Sequence, residues 1–192
     1  IAFFSGAVYF IIEYLSETEG RIFMEVQGFS AMHAAYMISL AWFSYAIGCP
    51  LLGFVSDFFE RRKPILILAS VSVVTAIHMI IFLSNPYAMI CAFVLLGLGA
   101  SGQSVAFAIM SEQFNPQYVV VGFGLNNTMI TIFTASTAPI IGKMVDTGRA
   151  SDVELVGLYQ VSFYILAIWA MVSVILSVGY IKETFCKSNY LG

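Results

Sequence analysis

Six apolar runs, each about the 17–25 residues that a helix needs to cross the hydrocarbon of a bilayer, leave this chain few ways to fold. They cover Ile1 to about Met24, Ala31–Val55, Pro64–Leu83, Tyr87–Met110, Tyr118–Met144 and Val156–Ile181. Strands of a membrane barrel would alternate over about ten residues, and no such alternation occurs. A soluble fold is excluded by composition: 60% of the 192 residues are hydrophobic and only 10% charged, too few polar side chains to cover a water-facing surface. The sequence predicts an all-α membrane protein of six transmembrane helices, a single bundle over residues 1–192. The net charge of −3 comes from eleven acids and eight bases spread over short loops, which offers no basic face to nucleic acid. Cys49, Cys91 and Cys186 form an odd set without metal-ligand spacing and read as small side chains; neither a metal nor another cofactor is expected. The chain opens at Ile1 inside an apolar run, so residue 1 is not expected to be the natural start.

The breaks between runs carry helix-boundary chemistry. Ser30 is a cap-type residue before the second run, and Asn85-Pro86 and Asn115-Pro116 are turn pairs after the third and fourth. Loops this short make neighbouring helices antiparallel. Arg61, Arg62, Lys63, Lys182 and Lys187 then fall on one side. Arg21, Lys143 and Arg149 fall on the other, among Glu19, Glu25, Asp146, Asp152 and Glu154. The positive-inside bias places the first group, and both chain ends, in the cytoplasm.

The charged hairpin Pro50–Pro64 has an internal echo. Pro50-Leu-Leu-Gly53-Phe-Val-Ser-Asp57 reads again as Pro139-Ile-Ile-Gly142-Lys-Met-Val-Asp146. The copies end the second and fifth helices at opposite membrane faces, which predicts two inverted three-helix repeats over about 1–84 and 87–181, with a tail at 182–192.

Gly53-Phe-Val-Ser-Asp57-Phe-Phe-Glu60-Arg61-Arg62-Lys63 resembles the loop signature of the major facilitator superfamily: a glycine, an aspartate four later, then clustered bases. Glu17-Thr-Glu-Gly20, Gly28-Phe-Ser30, Ala46-Ile-Gly48-Cys-Pro50 and Gly122-Phe-Gly124-Leu-Asn126-Asn127 look alike too. Together they resemble the C-terminal six helices of a twelve-helix transporter of the bacterial organic-solute branch, over essentially the whole chain. Phe58 stands where the family has a base and Glu60 where it has a glycine. The resemblance implies secondary transport of a small organic solute across the inner (cytoplasmic) membrane by alternating access, coupled to protons. The partners implied are the solute, protons, the bilayer, and either an N-terminal six-helix half or a second copy in a homodimer of half-size transporters. It also implies a solute path lined near Ser5–Glu17 and Gly99–Met110, and a gating loop of Gly53, Asp57, Arg61 and Arg62.

Within that path Ser5, Tyr9, Glu13, Glu17 and Arg21 recur every four residues and form a polar stripe. Glu13 lies roughly 10–16 Å from the outer end of its helix, deep enough that its carboxylate must be paired, protonated or wet. It is the first candidate for proton coupling or solute binding, the bland alternative being a salt-bridged structural acid. Tyr9 shares its face, and Glu17 could pair with Arg21 at i,i+4 near the interface. The small residues Gly97, Gly99, Ser101 and Gly102 read as a packing face. The Gln103 amide needs partners, from a neighbouring helix or from solute, and Asn126, Asn127 and Thr128 carry the same ambiguity. His78 falls on the scaffold side and reads as a structural histidine, and His33 as a wet residue at the outer mouth.

Two rival classes fit less well. Gly99-Ala-Ser101-Gly102 matches the Gly-x-Ser-Gly of rhomboid intramembrane proteases. The serine needs a general base on a later helix, however, and no histidine follows His78. Asn85-Pro86-Tyr87 and Asn115-Pro116-Gln117 resemble the paired triplets of six-helix water channels but sit in turns between full spans, not inside the membrane.

Overall fold

The computed structural model describes residues 1–150 and 154–187; Asp152 of the outer acidic group and residues 188–192 of the tail lie outside the described residues. Among these, the helices are α1 (Ala2–Glu17), α2 (Gly20–Val26), α3 (Ala31–Phe58), α4 (Lys63–Phe82), α5 (Pro86–Ala100), α6 (Gly102–Gln113), α7 (Val119–Arg149) and α8 (Leu155–Ile175). A 3-10 turn at Pro116–Tyr118 leads into α7, and Leu176–Tyr180 continue α8 as a π-helix. The expected caps form: Ser30 Oγ accepts from the His33 amide, and Asn85 Oδ1 accepts from the amides of Tyr87 and Ala88.

Among the described residues, five stretches are long and apolar enough to cross a membrane: Ala31–Phe58, Lys63–Phe82, Pro86–Gln113, Pro116–Arg149 and Leu155–Tyr180. The run from Ile1 to about Met24, expected as one helix, is divided. Thr18 leaves helical geometry (φ −120, ψ −92) and α2 restarts at Gly20, so α1 has only 16 residues. The reason sits at Gly20, where a Cβ would strike the carbonyl of Leu15; the chain folds back onto the last turn of α1 more closely than any side chain permits. The fourth run is divided as well, into α5 and α6 around Ser101.

α3 packs on α5, α4 on α5 and α8, and α1 on α7. With no hydrophobic drive between helices inside a bilayer, close approach is what holds such contacts. Gly97 and Gly99 allow it. A Cβ on Gly97 would collide with the Ala41 carbonyl of α3, and one on Gly99 would lie 2.7 Å from the Ala69 carbonyl of α4. The buried core is centred on α1, through Phe4, Phe10, Ile11 and Leu15. α3 and α7, in contrast, leave long apolar faces open, with Phe43, Phe54 and Phe58 exposed on one and Val120, Val121 and Ile132 on the other.

Candidate functional site

The chain reversals gather charge at one end of the bundle. At the C-terminus of α3, Arg61 N donates to Ser56 O and Glu60 N to Asp57 O, a Schellman closure whose left-handed residue is Glu60 (φ 50). The glycine that the loop signature leads one to expect here has its conformational reason, and glutamate occupies the position under strain. The turn delivers Arg62 into the bundle. Only 7% exposed, its guanidinium donates to Glu112 Oε1 from Nε at 3.0 Å and from Nη2 at 2.7 Å, and its Nη1 lies 2.6 Å from Asp57 Oδ1 and also reaches Ser56 Oγ. Burial by itself would push the Arg62 pKa down; Glu112 and Asp57 outweigh it and hold the guanidinium above its ordinary value. Thr184 Oγ1 donates to the other oxygen of Glu112.

Glu183, just beyond α8, closes the cluster. Its carboxylate accepts from the backbone amides of Arg62 (2.8 Å), Lys63 (3.1 Å), Thr184 (3.1 Å) and Phe185 (3.3 Å), and so caps the start of α4 from across the bundle. Partial burial works to raise its pKa, but the four N–H donors win and hold it below the usual value. Arg61 stays outside this network, exposed and stacked over the Phe185 ring at 4.8 Å. Of the four gating-loop residues, then, Asp57 and Arg62 meet in one ion-pair cluster and Arg61 does not. Gly53 faces open space: among the described residues, no other part of the bundle would come within 4 Å of a Cβ there.

The second region lies in the C-terminal half of α1, with Glu13 one turn before the helix ends at Glu17. Glu13 is half-buried and its Oε2 accepts from Thr134 Oγ1 of α7 at 2.8 Å. One turn below, Tyr9 packs edge-on against Tyr45 (5.4 Å between ring centroids) and Trp42 (6.1 Å) of α3, which also touch each other (5.8 Å). Tyr45 Oη donates to Gln103 Oε1 of α6 at 2.9 Å. Tyr9 and Glu13 thus share one face of α1, from which Tyr9 is linked through Tyr45 to Gln103 and Glu13 is bonded to Thr134; the sequence singled out none of Trp42, Tyr45 and Thr134. The other members of the stripe part company. Ser5 is fully buried without a hydrogen-bond partner among the described residues, and Glu17 is exposed. The expected Glu17–Arg21 pair does not form: the break at Thr18 puts the two on different helices, and Arg21 pairs with Glu25 within α2 at 2.8 Å. On α7, Asn126 is fully buried with neither amide atom bonded among the described residues, whereas Asn127 and Thr128 face outward.

At the opposite end Tyr159 Oη donates to Glu19 Oε2 (2.7 Å) and accepts from Arg149 Nη2 (2.8 Å), which ties α7 and α8 to the α1–α2 break. His78 Nδ1 donates to the Val74 carbonyl (2.7 Å) on its own helix, as a structural histidine would. Ser101 is buried and donates to the Leu98 carbonyl at 2.6 Å. A signal for Glu112 and Glu183 did exist in the sequence: each is an acid at the end of an apolar run, on the side where the bases cluster.

Helices long and apolar enough to cross a membrane, with a charged reversal at one end, are those of a multi-pass membrane protein. The family model of the Major Facilitator Superfamily matches residues 1–185, and the chain belongs to that superfamily. It is similar to the inner membrane metabolite transport protein YhjE of Escherichia coli (strain K12), 27% identical over 129 residues, which is 65% of this chain. The match spans only 29% of that relative's length.

Proposed function

We propose that this chain is the C-terminal six-helix half of a secondary transporter that carries a small organic solute across the inner membrane by alternating access, coupled to protons. Family membership supports transport, and the likeness to a metabolite transport protein supports a small organic cargo. The observation that carries the reading is the half-buried pair Tyr9 and Glu13, with the buried Gln103 tied to Tyr9 through Tyr45. Three polar groups from two divided spans meet at mid-depth, where an ionisable side chain is costly unless it has work to do. Glu13 is the proton or solute ligand and Thr134 its ground-state partner.

The inverted repeat accounts for the packing: α3 leans on α5 and α7 on α1, the exchange expected when the first and fourth runs correspond, and those two runs are the divided ones. The open faces of α3 and α7, and the free space over Gly53, are covered by the N-terminal half of the same polypeptide. Asp57 and Arg62 hold the cytoplasmic gate against that half, with the Arg62 end of the bundle inside the cell. In proteoliposomes of the full-length protein with an imposed pH gradient, Glu13→Gln abolishes accumulation against a gradient. Retained accumulation with unchanged pH dependence would sink the role of Glu13.

A further inference from the structure

We propose that the mid-depth face binds an organic cation, a solute carrying a quaternary or tertiary ammonium group, through the rings of Tyr9, Trp42 and Tyr45 with Glu13 as counter-charge. The inference rests on the transport reading for its place in the cycle, but its argument is separate.

The three rings meet pairwise at interplanar angles of 67°, 64° and 81°. Three planes inclined this steeply to one another make a corner. A flat nucleobase stacks on one ring and gains little from the other two, whereas a compact, rounded ammonium group touches several π faces at once. All three rings are half-buried, so the corner is neither core nor open surface. Tyr9 and Glu13 are four residues apart on α1 and therefore share a face, which places one carboxylate beside the rings.

Charge points the same way. The bases Arg61, Arg62, Lys63, Lys182 and Lys187 belong to one end of the chain's spans, and Arg21, Lys143 and Arg149 to the other, so none stands at the depth of Glu13. An anionic solute would find a carboxylate and three π faces, all repelling it; a cation would find all four attractive. Thr134, the partner of Glu13, is neutral and leaves the negative charge uncompensated.

The test is equilibrium binding of radiolabelled choline to the purified full-length protein in lipid nanodiscs, with tetramethylammonium and the uncharged isostere dimethylbutanol as competitors. Choline should bind, tetramethylammonium should displace it, and the isostere should compete at least about tenfold more weakly. Trp42→Leu and Glu13→Gln should each weaken binding by about tenfold. Tyr9→Phe, which keeps the π face, should stay within about twofold, and Trp42→Phe should recover most of the loss and so exclude misfolding as its cause. Equal competition by the isostere, unchanged binding in Trp42→Leu, or no binding of either cation overturns the proposal. The two readings fail separately. Choline binding without accumulation of any solute in proteoliposomes sinks transport and leaves the cation site. Accumulation of a neutral or anionic solute without choline binding does the reverse.

Discussion

The two polar regions of this bundle handle buried charge in opposite ways. At the Arg62 end the charges drawn into the bundle are committed: Arg62 to Glu112, Asp57 and Ser56, Glu112 also to Thr184, and Glu183 to four backbone amides. At mid-depth Glu13 has, among the described residues, a single neutral partner, and the rings beside it remain half-buried. A saturated network fixes geometry, because each member removed leaves another charge buried without compensation. A sparse one leaves capacity for something that arrives. The first region is thus built to hold a conformation, and the second is where we propose that a ligand binds.

The sharpest way to break this contrast is to remove one arginine from each side of the loop. Arg62→Leu should destabilise the protein by about 3 kcal/mol, because Glu112 would stay buried without its cation. Arg61→Leu should cost under about 1 kcal/mol, the scale of an exposed cation–π contact. Thermal unfolding of the two variants in one detergent measures the difference, and equal losses would mean that the loop bases act as a pair. At mid-depth Glu13→Gln should leave the unfolding midpoint nearly unchanged while accumulation is lost, since Thr134 can still bond the amide. A large drop in stability would return Glu13 to a structural role.

Smaller effects test the edges of the network. Glu183 has its pKa lowered in the folded state, so its contribution is full above the ordinary glutamate value of 4.5 and is lost as pH falls through the lower folded-state value. The unfolding midpoint of the protein should therefore fall in that acid window, and Glu183→Gln should flatten this part of the profile. Glu60→Gly should raise stability by about 1 kcal/mol, because glycine adopts the positive φ without cost and the Schellman hydrogen bonds are unchanged. A loss of stability there would show that the Glu60 side chain makes a contact worth more than its strain.

Much of this architecture was legible in the chain. Apolar run length fixes where helices cross, because a bilayer admits no unsatisfied backbone, and the caps at Ser30 and Asn85 follow from local hydrogen bonding alone. Gly97 and Gly99 announced a packing face through their small size. The division of the first run was not legible: Thr18 and Glu19 carry no strong breaker, and only the close contact of Gly20 with Leu15 explains the break. That break also cancelled the Glu17–Arg21 pair, which assumed one continuous helix.

The sequence by itself determined a membrane bundle, the turns between its spans and the identity of Glu13, Asp57 and Arg62 as charges in unusual places, because hydropathy and spacing act over short distances along the chain. Only the tertiary structure decided which charges meet. Arg62 and Glu112 are 50 positions apart and Lys63 and Glu183 are 120 apart, while Tyr9, Trp42, Tyr45 and Gln103 come together from three helices. Partner choice at those separations is set by how helices pack, which no local pattern encodes.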